Sequence, residues 1–199
     1  MPLIPNALSA IGAVGRFALL GAVSGSVANT LIWLLPEVSL GILEWRPDEW
    51  LFLSPFSLLP GLVFGLIIGW ALYRGGHAGP RTFAAYVAAS TVSYLAAVNL
   101  VFVIYGYVGS LWPTGMIGGL FGSACLTGLA AWMFPFVRKF RPIALMLVAG
   151  GALGVLLGIG VGFWGALVFF AVWQAGYAAA FATALPAVDV PDSARVPAA

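Results

Sequence analysis

Gln174 and Tyr177 lie three residues apart beside Trp173 in the run VWQAGY, and Tyr86, Ser90 and Ser93 form a comparable group in YVAASTVSY, which ends on Tyr94. Residues at this spacing share a helix face, so each group would present its polar atoms in one direction. Asn29 in VANTLIW and Asn99 in AAVNLVF add two carboxamides. Such groups donate and accept hydrogen bonds without a formal charge, and they suit recognition of a neutral or weakly polar solute. The candidate solute-binding set is Asn29, Ser90, Tyr94, Asn99, Trp173, Gln174 and Tyr177. Gln174 leads it, because burying a carboxamide in an apolar stretch has a desolvation cost and an adjacent indole can stack on a ligand. The competing reading for each residue is a hydrogen bond that ties helices together, which contributes about 0.6 kcal/mol on average.

Neither a catalytic set nor a metal-ligand set accompanies these groups. No Asp, Glu, Lys, Arg or His falls deep within an apolar stretch. Proton-coupled pumps and carriers of charged substrates keep an ionisable group at depth. Intramembrane aspartyl and zinc proteases need carboxylates or metal ligands there. The one histidine, His77, sits in the loop RGGHAG, away from the span serines, so no Ser-His pair is expected. Cys125 is the one cysteine. It excludes an intrachain disulfide and reads as a small thiol filling an apolar core. The expectation is a protein that is not an enzyme, with no cofactor and no metal.

The elements that must hold these residues follow from composition. The chain has 199 residues, 62% of them hydrophobic and 7% charged. A soluble domain carries about 25% charged residues, so an ordinary water-facing surface is excluded, and so is a disordered chain. A net charge of +2 gives no clustered cations for nucleic acid. The class is all-α, a polytopic integral membrane protein. A span needs about 20 mostly apolar residues, and six stretches qualify: Phe17 to Leu35, Phe56 to Tyr73, Thr82 to Tyr105, Thr114 to Phe134, Ile143 to Val161 and Trp164 to Leu185. Prolines punctuate the connections. The break between the last two spans rests on Gly160 to Gly162 alone.

In a six-span arrangement Arg16, Arg74, Arg81, Arg138, Lys139, Arg141 and Arg195 fall on one side, and Arg46 alone on the other. The positive-inside rule then predicts cytoplasmic N- and C-termini in the cell (inner or plasma) membrane. Trp33, Trp112 and Trp164 mark one interface and Trp70 and Trp132 the other. Residues 1–186 read as a single six-span domain, and 187–199 as a disordered cytoplasmic tail. Trp45, Trp50, Leu51 and Phe52 could lay a short helix on the outer leaflet.

The two halves resemble each other. Gly21, Gly25, Ser26 and Thr30 of span one match Gly118, Gly122, Ser123 and Thr127 of span four. Gly61, Gly65 and Gly69 of span two match Gly150, Gly154 and Gly158 of span five, and Tyr94 of span three matches Tyr177 of span six. Three spans per half is odd, so the second half enters the membrane inverted. The expectation is a 3+3 inverted-topology repeat, 8–106 and 107–186, with a site near the midplane where the halves meet. The same glycines form zipper-like rows four residues apart, which let helix backbones approach closely in lipid. They predict helix packing, with spans one, two, four and five together at the centre.

Two functions follow as expectations. One is a small transporter or channel-like protein for a neutral or weakly polar solute. The other is a non-catalytic accessory subunit of a larger membrane complex. The expected partners are the lipid bilayer and either further copies of the chain or other membrane subunits, with no nucleic acid.

Overall fold

The computed structural model describes residues 12–35, 55–160 and 162–186. Among these there are six long helices and no strand: α1 (Ala13–Leu34), α2 (Pro55–Arg74), α3 (Pro80–Val108), α4 (Leu111–Met133), α5 (Phe140–Gly154) and α6 (Phe163–Ala182). All six are long and apolar enough to cross a membrane, α5 together with the turn that follows it. The chain has the character of a multi-pass membrane protein. The expected outer-leaflet helix, Arg46 and the C-terminal tail lie outside the described residues.

Proline and glycine set the helix ends. Pro80 occupies the first turn of α3, where a missing N–H costs nothing. Gly109 closes the same helix at φ 66°, a left-handed conformation that glycine adopts without strain. The break between the last two spans falls at Gly160, whose φ is 126°. Span five differs from its expected form. Its α-helix stops at Gly154 and tightens into a 3-10 turn over Val155–Ile159, so the span ends before Val161. α3 is the longest helix at 29 residues, about 43 Å at 1.5 Å per residue. That exceeds the roughly 30 Å of bilayer hydrocarbon, and the exposed Tyr107 near its end lies in the excess.

The helices form a closed ring in chain order. Each packs on the next, and α6 returns to α1 in the most extensive helix pair of the molecule. α1 and α6 run antiparallel. A Cβ on Gly21 would strike the backbone at Gln174, and one on Gly25 the backbone at Phe170. Gly61, Gly65 and Gly69 of α2 lie against Ser90, Val87 and Phe83 of α3. Gly150 and Gly154 of α5 lie against Ser123 and Gly115 of α4, and Gly158 lies against Trp112. Gly118 and Gly122 of α4 lie against Val101 and Ala97 of α3. The expected grouping of spans one, two, four and five at the centre does not form. Each glycine row faces the neighbour next to it in the ring, because a row of missing side chains admits any backbone and does not choose which.

Two apolar clusters fill the ring. One holds Phe17, Ile68, Leu72, Tyr86, Phe134, Met146 and Phe181, at the end where α1, α3 and α5 begin. The other holds Ile32, Phe56, Val98, Leu157 and Phe170, at the opposite end. All the described cations, Arg16, Arg74, Arg81, Arg138, Lys139 and Arg141, belong to the ends and loops of the first side. Trp70 and Trp132 are exposed near that side, and Trp33, Trp112 and Trp164 near the other.

Candidate functional site

Between the two apolar clusters lies a layer of uncharged polar side chains. Gln174, eleven residues into α6, is fully buried. Its Oε1 accepts a hydrogen bond from Ser24 Oγ of α1 at 2.6 Å. Its Nε2 donates to the Pro60 carbonyl of α2 at 3.2 Å. One carboxamide thus joins three helices. The next carbonyl of α2, that of Gly61, accepts from Ser90 Oγ of α3 at 2.8 Å. Two consecutive α2 carbonyls therefore serve donors from two different helices. The absence of a side chain at Gly61 lets α3 come close enough for the short serine side chain to reach.

Trp173 and Tyr177 complete the layer. The Trp173 indole N–H donates to the Gly150 carbonyl of α5 at 3.1 Å. Its ring stacks on Tyr177, with centroids 6.4 Å apart, and meets Tyr94 edge-on at 6.2 Å. Tyr177 shares a hydrogen bond of 3.0 Å with Thr127 of α4, and Phe64 meets its ring edge-on.

These groups surround a cavity of about 10 Å³, lined by Pro60, Gly61 and Phe64 of α2, Ser90, Ser93 and Tyr94 of α3, Gly122 and Leu126 of α4, and Trp173, Gln174 and Tyr177 of α6. That volume holds about one water molecule. Ser93 is buried, lines the cavity and has no hydrogen-bond partner for its hydroxyl. One Gln174 Nε2 proton is committed to Pro60, and an amide carries two. The cavity thus has polar capacity that the described protein groups leave open.

Five of the seven residues expected to bind solute meet here: Ser90, Tyr94, Trp173, Gln174 and Tyr177. Asn29 and Asn99 do not line the cavity. Asn29 is buried further along α1, where its Nδ2 donates to the Phe163 carbonyl at 3.3 Å. Asn99 turns back on its own helix and donates to the Leu95 carbonyl at 2.8 Å. A carbonyl four residues earlier is always within reach of a short polar side chain in a helix.

The sequence reading missed Ser24 and Pro60 as partners of Gln174. The signal for Ser24 was its position between Gly21 and Gly25 on the same helix face. Pro60 gave a quieter one, as a proline inside a span. Gly61 and Gly122 were expected only to pack helices, and both also line the cavity.

The chemistry available is hydrogen bonding and aromatic contact. Among the described residues no three of His, Cys, Asp or Glu are placed to hold a metal ion, and no Asp or Glu is present at all. Compared with known proteins, the chain matches no family model, and no curated protein or solved structure is significantly similar to it.

Proposed function

We propose that the chain is a small membrane transporter or channel-like protein for a neutral or weakly polar solute, with its site at the mid-bundle cavity. The observation that carries this reading is the uncharged polar layer, held between two apolar clusters and contributed by helices from both halves of the chain. Sites of this kind sit near the midplane where halves meet. Ser93, Gln174 and the aromatic wall of Phe64, Tyr94, Trp173 and Tyr177 would contact the solute. At about 10 Å³ the cavity has room for water-sized contents only, so anything larger passes only when the helices part.

The reading extends to an inverted repeat with both termini in the cytoplasm of a cell-membrane protein. The gathering of described cations at one end supports that orientation. The α1 and α4 glycines support the repeat. Gly21 and Gly25 press on α6, and their counterparts Gly118 and Gly122 press on α3, which is the equivalent seam. Tyr94 and Tyr177 both reach the cavity. The α2 and α5 glycines work against it, since the first row faces α3 and the second faces α4.

The test is solute flux into proteoliposomes holding the purified chain, read by stopped-flow light scattering over a series of neutral solutes of rising size. Faster flux than in empty vesicles for some member, lost in Gln174→Leu, is the expected result. Flux equal to empty vesicles across the series sinks the proposal. The small cavity favours a second reading in that event, a non-catalytic accessory subunit. It is checked by whether gentle purification from native membranes brings down other membrane proteins in fixed ratio.

A further inference from the structure

The groove between the first turn of α3 and the last turn of α4 is lined by Arg81, Thr82, Ala85, Trp132 and Met133, and it opens to the surroundings with a volume of about 270 Å³. Arg81 is exposed, and Trp132 is 75% exposed. Beside the groove, Arg138 donates to the Ala131 carbonyl at 2.9 Å and to the Trp132 carbonyl at 3.5 Å, which fixes a second guanidinium at this end of α4. The described residues contain no carboxylate to neutralise either cation.

Gly128 lies one turn from Trp132 on the same face of α4. The other glycines of that helix, Gly115, Gly118, Gly119 and Gly122, press on a neighbouring helix, whereas a Cβ at Gly128 would meet nothing within 4 Å. A glycine inside a helix costs about 1 kcal/mol relative to alanine, and at Gly128 no contact inside the described bundle accounts for it. Ala124, a turn further along, is also exposed, as are Ala85 and Ala88 on α3. The cationic groove thus continues onto a small-residue surface exposed on the outside of the bundle.

We infer that this groove holds an anionic phospholipid, its headgroup phosphate on Arg81 and an acyl chain laid along α4 over Gly128. Charge complementarity names the occupant. A cation, a hydroxyl and an indole at the bilayer boundary match a phosphodiester, and the smooth face matches a chain. The inference rests on the membrane placement and is independent of any transport activity.

The purified full-length chain in detergent is titrated with phosphatidylglycerol and with phosphatidylcholine of the same acyl chains, and retained lipid is read by native mass spectrometry. Phosphatidylglycerol should be retained in preference. Arg81→Gln should lower its retention about fivefold, as expected for one cation near the surface. Lys139→Gln, exposed at the same end but not lining the groove, should leave retention unchanged. Gly128→Leu should keep its melting temperature and retain less of both lipids. Equal retention of the two lipids, or equal losses in Arg81→Gln and Lys139→Gln, overturns the proposal. So does competition by inorganic phosphate at the lipid's own concentration, which would make the occupant a free anion. Should Gly128→Leu misfold, the comparison of Arg81→Gln with Lys139→Gln still decides the headgroup site.

Discussion

Ser24 of α1 and Gln174 of α6, separated by 150 positions in the chain, share a buried hydrogen bond of 2.6 Å. The same carboxamide reaches the Pro60 carbonyl of α2, so this contact lies at the junction of the first two helices with the last. Hydrogen bonds between membrane helices contribute about 0.6 kcal/mol on average and about 1.7 kcal/mol at most. A double-mutant cycle of Ser24→Ala and Gln174→Leu, read as unfolding free energy in bicelles, should give a coupling in this range. A coupling near zero would mean that the pair is adjacent without being stabilising.

Glycine positions should separate sharply by partner. At Gly25 a Cβ would collide with the backbone of Phe170, which cannot swing aside as a side chain can. Gly25→Ala should therefore destabilise by about 1–3 kcal/mol. Gly128→Ala should be neutral or stabilise by up to about 1 kcal/mol, since open space awaits its methyl group. Melting temperatures of the two variants beside the parent protein check both directions. Equal gains in both variants would show that helix propensity, and not close approach, governs these sites.

Tyr86 and Tyr177 are both fully buried, yet their hydroxyls fare differently. Tyr177 is bonded to Thr127, whereas the Tyr86 hydroxyl has no partner and sits among Phe134 and Phe181. A buried polar group left unsatisfied costs roughly 1–3 kcal/mol. Tyr86→Phe should thus be neutral or raise the melting temperature. Tyr177→Phe should lower it by leaving Thr127 unpaired. The reverse order would place an unseen partner at Tyr86.

Topology is open to chemical labelling, because Cys125 is the one cysteine and sits half-buried in α4. In a Cys125→Ser background, cysteines introduced at His77 and Lys139 should react only with reagents that reach the cytoplasm. One introduced at Gly109 should react from outside. Labelling of Lys139 from outside would reverse the proposed orientation.

The sequence was most informative where a physical requirement is local. Bilayer thickness demands long apolar runs, and proline and glycine mark their ends, so six spans could be read directly. Even the break near Gly160 followed from glycine alone. The ring order was hidden, because Gly61 and Gly150 announce that some backbone comes close without saying whose. The site was half legible for a related reason. Gln174 declares a need for partners by being polar at depth, but Ser24 and the Pro60 carbonyl that meet the need come from distant parts of the chain. Asn99 made the same declaration and met its need one turn away on its own helix. The 3-10 turn at Val155–Ile159 left no distinct mark either, since Gly158 only continues the four-residue glycine row of the α-helix before it.

The pairing of α1 with α6 also sets the order in which the molecule can be finished. Among the described helices α1 is the first to be synthesised and α6 the last. Until α6 arrives, the notches at Gly21 and Gly25 and the hydroxyl of Ser24 face lipid or a holding partner. The five earlier helices can associate only as an open arc, with two seams still unmade. A ribosome stalled before α6 would leave that arc in the membrane with its polar face uncovered, a ready target for membrane quality control.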